Sequence, residues 1–272
     1  MRSVGLTLGM AVLVSIAHAQ APVVNAGGVV NDGGYATQGV APGSIIAIFG
    51  TNLASKLAIG DTIPLSGTLD TVTSVTFNGT GAGLFYVSPT QMDAQLPWEA
   101  LPNGTVNVVV TTTAGTSAAQ TVNVLTSQPG IFTANQSGTG QAVATDNADG
   151  SWAAPSGSIP GVNAHPFSIA TQGQNGHAII LWCTGMGAVS NQPASSAGAP
   201  GPPNLAQTTT QPIVMIGGVQ AQVLFSGLAP GFVGENQVDV LLGPNTPTGS
   251  AVPVTIEING VTSNKVTIAI GN

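Results

Sequence analysis

The residues of this chain that could do chemistry are few and scattered. Its single cysteine, Cys183, follows His177 by six positions, and a thiol near an imidazole is the pairing of a nucleophile with its base. In an extended strand six residues span about 20 Å, and neither a cation nor a helix N-terminus is indicated nearby to lower the thiol pKa. Cys183 is therefore expected to be a buried, inert packing residue. The run Thr145-Asp146-Asn147-Ala148-Asp149-Gly150 alternates oxygen-bearing side chains before a glycine, as a calcium loop does. Its first position is a threonine and no glutamate stands at the twelfth. The Asp146 to Asp149 stretch thus reads as a hairpin turn, with no metal and no other cofactor expected.

The three histidines are His18, His165 and His177, and no Gly-x-Ser-x-Gly elbow accompanies the abundant serines. A Ser-His-Asp triad has little to build on. Asp93 and Glu99 could serve as paired carboxylates for glycoside hydrolysis, but they read better as solvated surface charge. The chain is expected not to be an enzyme. Trp98, Trp152 and Trp182 raise carbohydrate binding on aromatic platforms. Trp182 sits within an apolar run and reads as core, whereas Trp98 follows a proline and Trp152 follows a turn. Asn78-Gly79-Thr80, Asn103-Gly104-Thr105 and Asn135-Gln136-Ser137 fit the N-glycosylation pattern and read first as turns.

Composition narrows the classes further. Of 272 residues only 5% are charged, so the solvent face must be built mainly from Thr, Ser, Asn, Gln and Gly. Three Lys or Arg stand against ten Asp or Glu, a formal charge of -7, which leaves nothing to neutralise a phosphate backbone. Nucleic acid is not an expected partner. The 37 Gly and 19 Pro could suggest disorder, but a 43% hydrophobic content in Val/Ile/Thr-rich runs calls for a packed β fold. At the N-terminus, Arg2, the apolar run Val4 to Ile16 and Ala17-His18-Ala19 form the pattern of a secretory signal peptide cleaved before Gln20. No later stretch is apolar for long enough to span a bilayer. One cysteine excludes an intramolecular disulfide, so stability must come from packing.

The elements that must position any site are short strands. Ser44 to Phe49 is a continuous apolar run ending at Gly50-Thr51-Asn52-Leu53. Val72 to Phe77 alternates at period two and stops at Asn78-Gly79, a strong hairpin signal. Further strand-like runs follow at Leu84 to Val87, Gln91 to Leu96, Thr105 to Thr111 and Gln120 to Leu125. The same text then repeats. Ala178 to Trp182 with Cys183-Thr184-Gly185-Met186 matches the first opening strand. Ile216-Gly217-Gly218 matches Phe77-Asn78-Gly79, Val223-Leu224-Phe225 matches Leu84-Phe85-Tyr86, and Gln237-Val238-Asp239 matches Gln91-Met92-Asp93. The second copy carries an apolar insertion, Leu228 to Gly234, where the first has only Ser88-Pro89-Thr90. The expected division is a signal peptide at 1–19, a lead-in at 20–40, sandwiches at 41–132 and 177–272, and a connecting segment at 133–176.

An apolar strand ending in Gly-Thr-Asn-Leu, a long loop, Val-Thr-Phe-Asn-Gly and a closing pair of strands resemble an immunoglobulin-like module of the IPT/TIG type. Gly227 to Gly234, Gln237-Val238 and Gly260-Val261-Thr262-Ser263-Asn264 resemble the C-terminal domain of secreted soil-bacterial proteins without an assigned activity. Tyr86-Val87-Ser88-Pro89-Thr90-Gln91, Leu96-Pro97-Trp98-Glu99 and Pro129-Gly130-Ile131-Phe132 resemble the module that precedes it. The resemblance implies an all-β fold of two tandem immunoglobulin-like (IPT/TIG-type) β-sandwich modules outside the cytoplasm, and it brings no catalytic residues. Where it leads one to expect a small residue before Thr184-Gly185, this chain has Cys183.

The reading of the sequence is a secreted or cell-surface, non-enzymatic β-sandwich protein for adhesion, surface display or protein–protein contact. The alternative is an extracellular carbohydrate-binding or carbohydrate-processing protein. The partner is then a protein or a glycan at the cell surface or in the extracellular matrix. The candidate interaction residues are Leu228, Phe232 and Val233 in the insertion, with Trp98 and Trp152.

Overall fold

Successive side chains of a strand face opposite ways, and that alternation builds both cores of this protein. The computed structural model describes residues 20–100, 102–193, 201 and 205–272. The expected signal peptide at 1–19 lies outside the described residues. Among the described residues every regular element is a strand.

In the first half, Val23–Asn31, Ile45–Thr51, Gln91–Gln95, Leu84–Val87 and Ala58–Ile59 lie side by side in that order, all antiparallel. Ile46, Ile48, Leu84, Met92 and Ala94 point from this sheet to one side and are fully buried. They meet Val75, Phe77, Val108 and Val110 from the opposing sheet of Gln120–Val124, Gly104–Thr112, Val72–Phe77 and Thr80–Gly81. Each of these side chains larger than alanine contributes about 1.5–3 kcal/mol on burial. The Asn78-Gly79 turn closes as its sequence demands: both residues have positive φ, 49° and 87°, and Phe77 pairs with Thr80.

The second half repeats the design. Ile179–Thr184 lies between Ala144–Asp146 and Asn236–Leu241, with Gln222–Leu228 beyond. Its opposing sheet is built on Val266–Gly271, Gly249–Ile258 and Ile213–Ile216. Ile179, Leu181, Cys183, Val238, Val240, Ile256 and Ile268 fill the space between. The segment 133–176 supplies strands to both of these sheets. Ala144–Asp146 pairs with Ile179–Thr184, while Gly140–Gln141 and Phe167–Ser168 add in parallel to Val266–Gly271.

The two sandwiches are joined by side chains that bond backbone across the junction. Thr184 Oγ1 accepts the Ile45 N–H at 2.9 Å and donates to the Gly234 carbonyl at 2.7 Å. The strand Ile45–Thr51 therefore begins where Ile179–Thr184 ends. Fully buried Asn31 donates to the Gln128 carbonyl at 2.8 Å and accepts the N–H groups of Gly33 and Gly34. Asn264 accepts the Ile131 N–H at 2.8 Å and donates to the carbonyls of Ile131, Gly138 and Gly33. Trp98 packs with Val189, Ala206 and Leu228 in a small core of their own.

Candidate functional site

The outward face of the sheet that carries Ile45–Thr51 and Gln91–Gln95 is not an ordinary solvated surface. With Ile46, Ile48, Met92 and Ala94 committed to the core, alternation sends Ile45, Ala47, Phe49, Gln91 and Asp93 to the other side. Phe49 stands opposite Gln91, and Tyr86 opposite Asp93, on neighbouring strands. Asp32 joins them from just past Val23–Asn31, where its N–H donates to the Ile45 carbonyl. Across from this face stand Phe132, Val143, Phe232 and Glu235 of the second half. Between the two lies a cleft of about 880 Å³.

Its chemistry is mixed aromatic and acidic. Tyr35, Phe85, Tyr86, Phe132 and Phe232 line it together with Gln91 and the carboxyl groups of Asp32, Asp93 and Glu235. Tyr35 is held by a 6.2 Å ring contact with Phe49 and by its hydroxyl donating to the Gln136 carbonyl at 2.9 Å. Phe232 leans on Trp182 at 6.2 Å. Gln91 Nε2 donates to Asp93 Oδ1 at 2.8 Å.

No cation pairs with these acids among the described residues, where the ion pairs are His165–Asp149 and His177–Asp146. Burial consequently penalises their charged forms. Burial, with the Asp93 charge added, pushes Asp32 up to about 7. Burial likewise lifts Asp93 to about 6, against the opposing pull of the Gln91 amide, and Glu235 to about 7. Tyr35 is pushed up to about 12 by burial and by the carboxylates of Asp32 and Asp93. At mildly acidic pH the cleft thus offers carboxyl groups that both donate and accept hydrogen bonds, set among flat aromatic faces. A ring bearing hydroxyls matches both features.

The structure corrects several readings of the sequence. Asp93 is not a solvated surface charge: it is half-buried on the cleft floor, because a sheet face shielded by a second sandwich no longer faces bulk water. Trp98, Leu228 and Val233 are buried and present no contact surface, since the inserted loop folds back onto the first sandwich. Trp152 is half-buried, in a short strand beside Ala164–His165. Of the insertion's apolar residues, Phe232 is the one that reaches the cleft, and it is 51% exposed. Trp182, expected in the core, stands on the outward face and donates from Nε1 to Thr145 Oγ1 at 3.0 Å.

Cys183 is fully buried in the second core, and burial pushes its thiol well above the usual range. It should therefore stay unreactive toward a thiol-specific chromogenic reagent at pH 8 until the protein is denatured. Rapid labelling of the native protein would contradict that placement. His177 does not approach the thiol but bonds through Nδ1 to Asp146 Oδ2 at 2.6 Å. With Asp146 Oδ1 taken by the Ala148 N–H, both oxygens of that carboxylate are engaged, one within the turn and one by His177. Among the described residues no cluster of His, Cys, Asp and Glu is arranged to hold a metal ion.

Sequence reasoning missed Asp32, Tyr35 and Glu235 altogether. Asp32 and Tyr35 sit in Gly-rich text with no period, and Glu235 sits at the end of the insertion, so only a contact between the two halves of the chain brings them together. The signal that was present is Gln-x-Asp, which occurs in both repeats at matching positions.

Residues 36–127, which cover the first sandwich apart from its edge strand Val23–Asn31, match the family described as IPT/TIG domain. An IPT/TIG domain is present. It supplies the floor of the cleft, while Asp32, Tyr35 and the opposite wall come from outside the matched span or from its edge. No curated protein matches the chain. Among solved structures, it is similar to the surface glycan-binding protein SGBP-B of the Bacteroides ovatus mixed-linkage glucan utilization locus. That match has 12% identity and a TM-score of 0.33, covering 93% of this chain and 46% of that one. A surface glycan-binding protein from Prevotella bryantii, PbSGBP-B, matches at 9% identity and a TM-score of 0.28, over 91% of this chain and 42% of that one. Domains 5-6 of the S-layer protein SbsC match at 14% identity and a TM-score of 0.27, over 92% and 98%. The chain spans less than half the length of the two glycan-binding proteins. No helix among the described residues is long and apolar enough to cross a membrane.

Proposed function

We propose that this protein is an extracellular, non-catalytic carbohydrate-binding protein whose ligand lies in the cleft between the two sandwiches. The observation that carries the reading is the convergence of five aromatic rings with Gln91 and three carboxyl groups, none paired with a cation among the described residues, on one cleft of about 880 Å³. Sugar rings stack their apolar faces on aromatics, and their hydroxyls bond to carboxyl and amide groups. Arg2, the apolar run behind it and Ala17-His18-Ala19 support export from the cytoplasm. Adhesion through protein–protein contact, the first reading of the sequence, loses ground because Leu228, Val233 and Trp98 are buried.

The raised carboxyls of Asp32 and Glu235 also suit a proton donor in glycoside hydrolysis. A single experiment separates the readings. The mature chain from Gln20 is presented to a glycan array and then titrated calorimetrically with its best ligand, and the mixture is assayed for new reducing ends. Binding without turnover is expected. Tyr86→Ala should weaken it by about 2 kcal/mol, the cost of losing one anchoring aromatic, or roughly thirtyfold in Kd. New reducing ends, lost in Asp32→Asn, would establish hydrolysis instead. A blank array with retained capture of a surface protein would return the adhesion reading.

A further inference from the structure

The cleft floor has a counterpart elsewhere in the molecule. In the first sandwich Phe49 stands opposite Gln91, Tyr86 stands opposite Asp93, and Gln91 donates to Asp93 at 2.8 Å. In the second sandwich Trp182 stands opposite Gln237 and Phe225 opposite Asp239. Gln237 donates to Asp239 Oδ1 at 3.3 Å. The strand carrying the second aromatic is irregular at the same place in both, between Leu84 and Tyr86 and between Val223 and Phe225. Each unit has its outer ring supported by one more aromatic, Tyr35 on Phe49 and Phe232 on Trp182, both at 6.2 Å. All eight residues of the two units are half-buried.

The repetition extends beyond the core to the outward polar face. The core positions between the matched polar residues keep only their apolar character, Met92 becoming Val238, while the outward Gln and Asp are identical. An acid on a partly buried sheet face costs stability. Asp239, like Asp93, is pushed up to about 6 by burial, with the neighbouring Gln amide pulling the other way. Gly227 lies two residues beyond Phe225, on the same face and opposite Gln237, and a Cβ there would overlap the Ala206 carbonyl oxygen and stand 2.6 Å from Phe225 Cζ, so the glycine admits both the neighbouring backbone and the ring. Beside Phe225 opens a pocket of about 330 Å³ lined by the amides and hydroxyls of Gln207, Thr208, Thr209, Gln211 and Ser226 together with the apolar Val223 and Leu224.

We propose that the outward face of the second sandwich, at Trp182, Phe225, Gln237 and Asp239, is a second carbohydrate-binding unit equivalent to the first, and that the chain holds one repeating, uncharged glycan at two points. The inference rests on the carbohydrate-binding reading of the cleft. An uncharged polymer is the occupant because each unit carries a carboxyl group with no cation paired to it among the described residues, and the chain is acidic, at -7. A polymer of identical units is the ligand for which two identical recognition units are useful, since the second contact becomes intramolecular.

The test uses the full mature chain and uncharged hexasaccharides of glucose, mannose and xylose with their parent polymers, read by titration calorimetry. The hexasaccharide that binds is expected to do so at two per chain, falling to one in Gln237→Ala/Phe225→Ala and to one in Gln91→Ala/Tyr86→Ala. Against the matching polymer, loss of either unit should weaken binding by about a hundredfold. Asp239→Asn, which keeps the shape of the carboxyl, guards against a folding artefact and should weaken the second unit alone. A stoichiometry of one that is unmoved by the Gln237, Phe225 and Asp239 changes overturns the second unit and leaves the cleft reading standing. Failure of every probe to bind overturns the cleft reading and this inference with it.

Discussion

Gly43→Ala is expected to lower the melting temperature by roughly 10 °C, from a cost of about 3–4 kcal/mol at about 2–4 °C per kcal/mol for a chain of this size. Gly43 has φ of 73°, in the left-handed region where a Cβ clashes with the following carbonyl. A Cβ there would also overlap three atoms of the Trp98 indole. The ring cannot swing away freely, because its other side packs on Val189, Ala206 and Leu228. The backbone is held as well, since Gly43 N–H donates to the Leu96 carbonyl at 3.0 Å. Trp98→Ala alone should cost about 3–5 kcal/mol by emptying that small core. The double variant should cost clearly less than the sum, because removal of the ring removes the clash. Calorimetric melting of the three proteins reads all of this. A fall of under about 2 °C in Gly43→Ala, where even 1 kcal/mol would move the midpoint further, or strict additivity in the double variant, would show that the indole does not lie over Gly43.

Lowering the pH from 8 to 5 should make the protein more stable, against the usual behaviour of an acidic domain. Asp32 and Glu235 are raised to about 7, and Asp93 and Asp239 to about 6, in each case first by burial. An acid raised above its unfolded value of about 4 binds its proton more tightly in the folded protein. Between about pH 4 and 7 the folded state therefore carries more protons than the unfolded state, and stability falls as pH rises. Each tenfold gain in proton affinity is nominally worth about 1.36 kcal/mol, but these groups are partly exposed. Solvent screening reduces the sum to something on the order of 1 kcal/mol per carboxyl. Asp70 and Asp149 are held low by hydrogen bonds from Ser55 and Ser151 respectively, so their contribution is lost only below the window considered.

The net expectation is a melting temperature higher by several degrees at pH 5 than at pH 8. Asp32→Asn mimics the protonated carboxyl. It should raise stability at pH 8, leave it nearly unchanged at pH 5, and flatten the slope between them. Melting curves at pH 5, 6.5 and 8 for the two proteins decide the matter. A wild-type profile that rises toward pH 8, or an Asp32→Asn profile as steep as wild type, would mean that these carboxyl groups are solvated.

What local text encodes and what contact creates differ sharply in this protein. The Asn78-Gly79 turn, the alternation of Val72–Phe77 and the apolar runs at Ile45–Thr51 and Ile179–Thr184 are legible because each depends on residues adjacent in the chain. The pairing of Gln91 with Asp93, and of Gln237 with Asp239, is visible as repeated text, but its meaning is not. A sheet has two faces, and alternation says which residues share one without saying what covers it. For that reason Asp93 looks solvated in the sequence and Trp182 looks like core.

The composition and repeated strand text of this sequence by themselves determined an all-β architecture of sandwiches, because period-two patterning and turn chemistry act within a few residues of chain. The match of residues 36–127 to the IPT/TIG domain agrees with that reading. Only the tertiary structure decided that Asp32, Asp93 and Glu235 share a cleft with five aromatic rings. Their neighbourhood depends on how one sandwich is set against the other. That setting is held by bonds such as Ile45 N–H to Thr184 Oγ1 and Asn264 to Gly33, across 139 and 231 positions of sequence. No local pattern specifies contacts at such separations, and the desolvation that raises these carboxyl pKa values exists only once the contacts have formed.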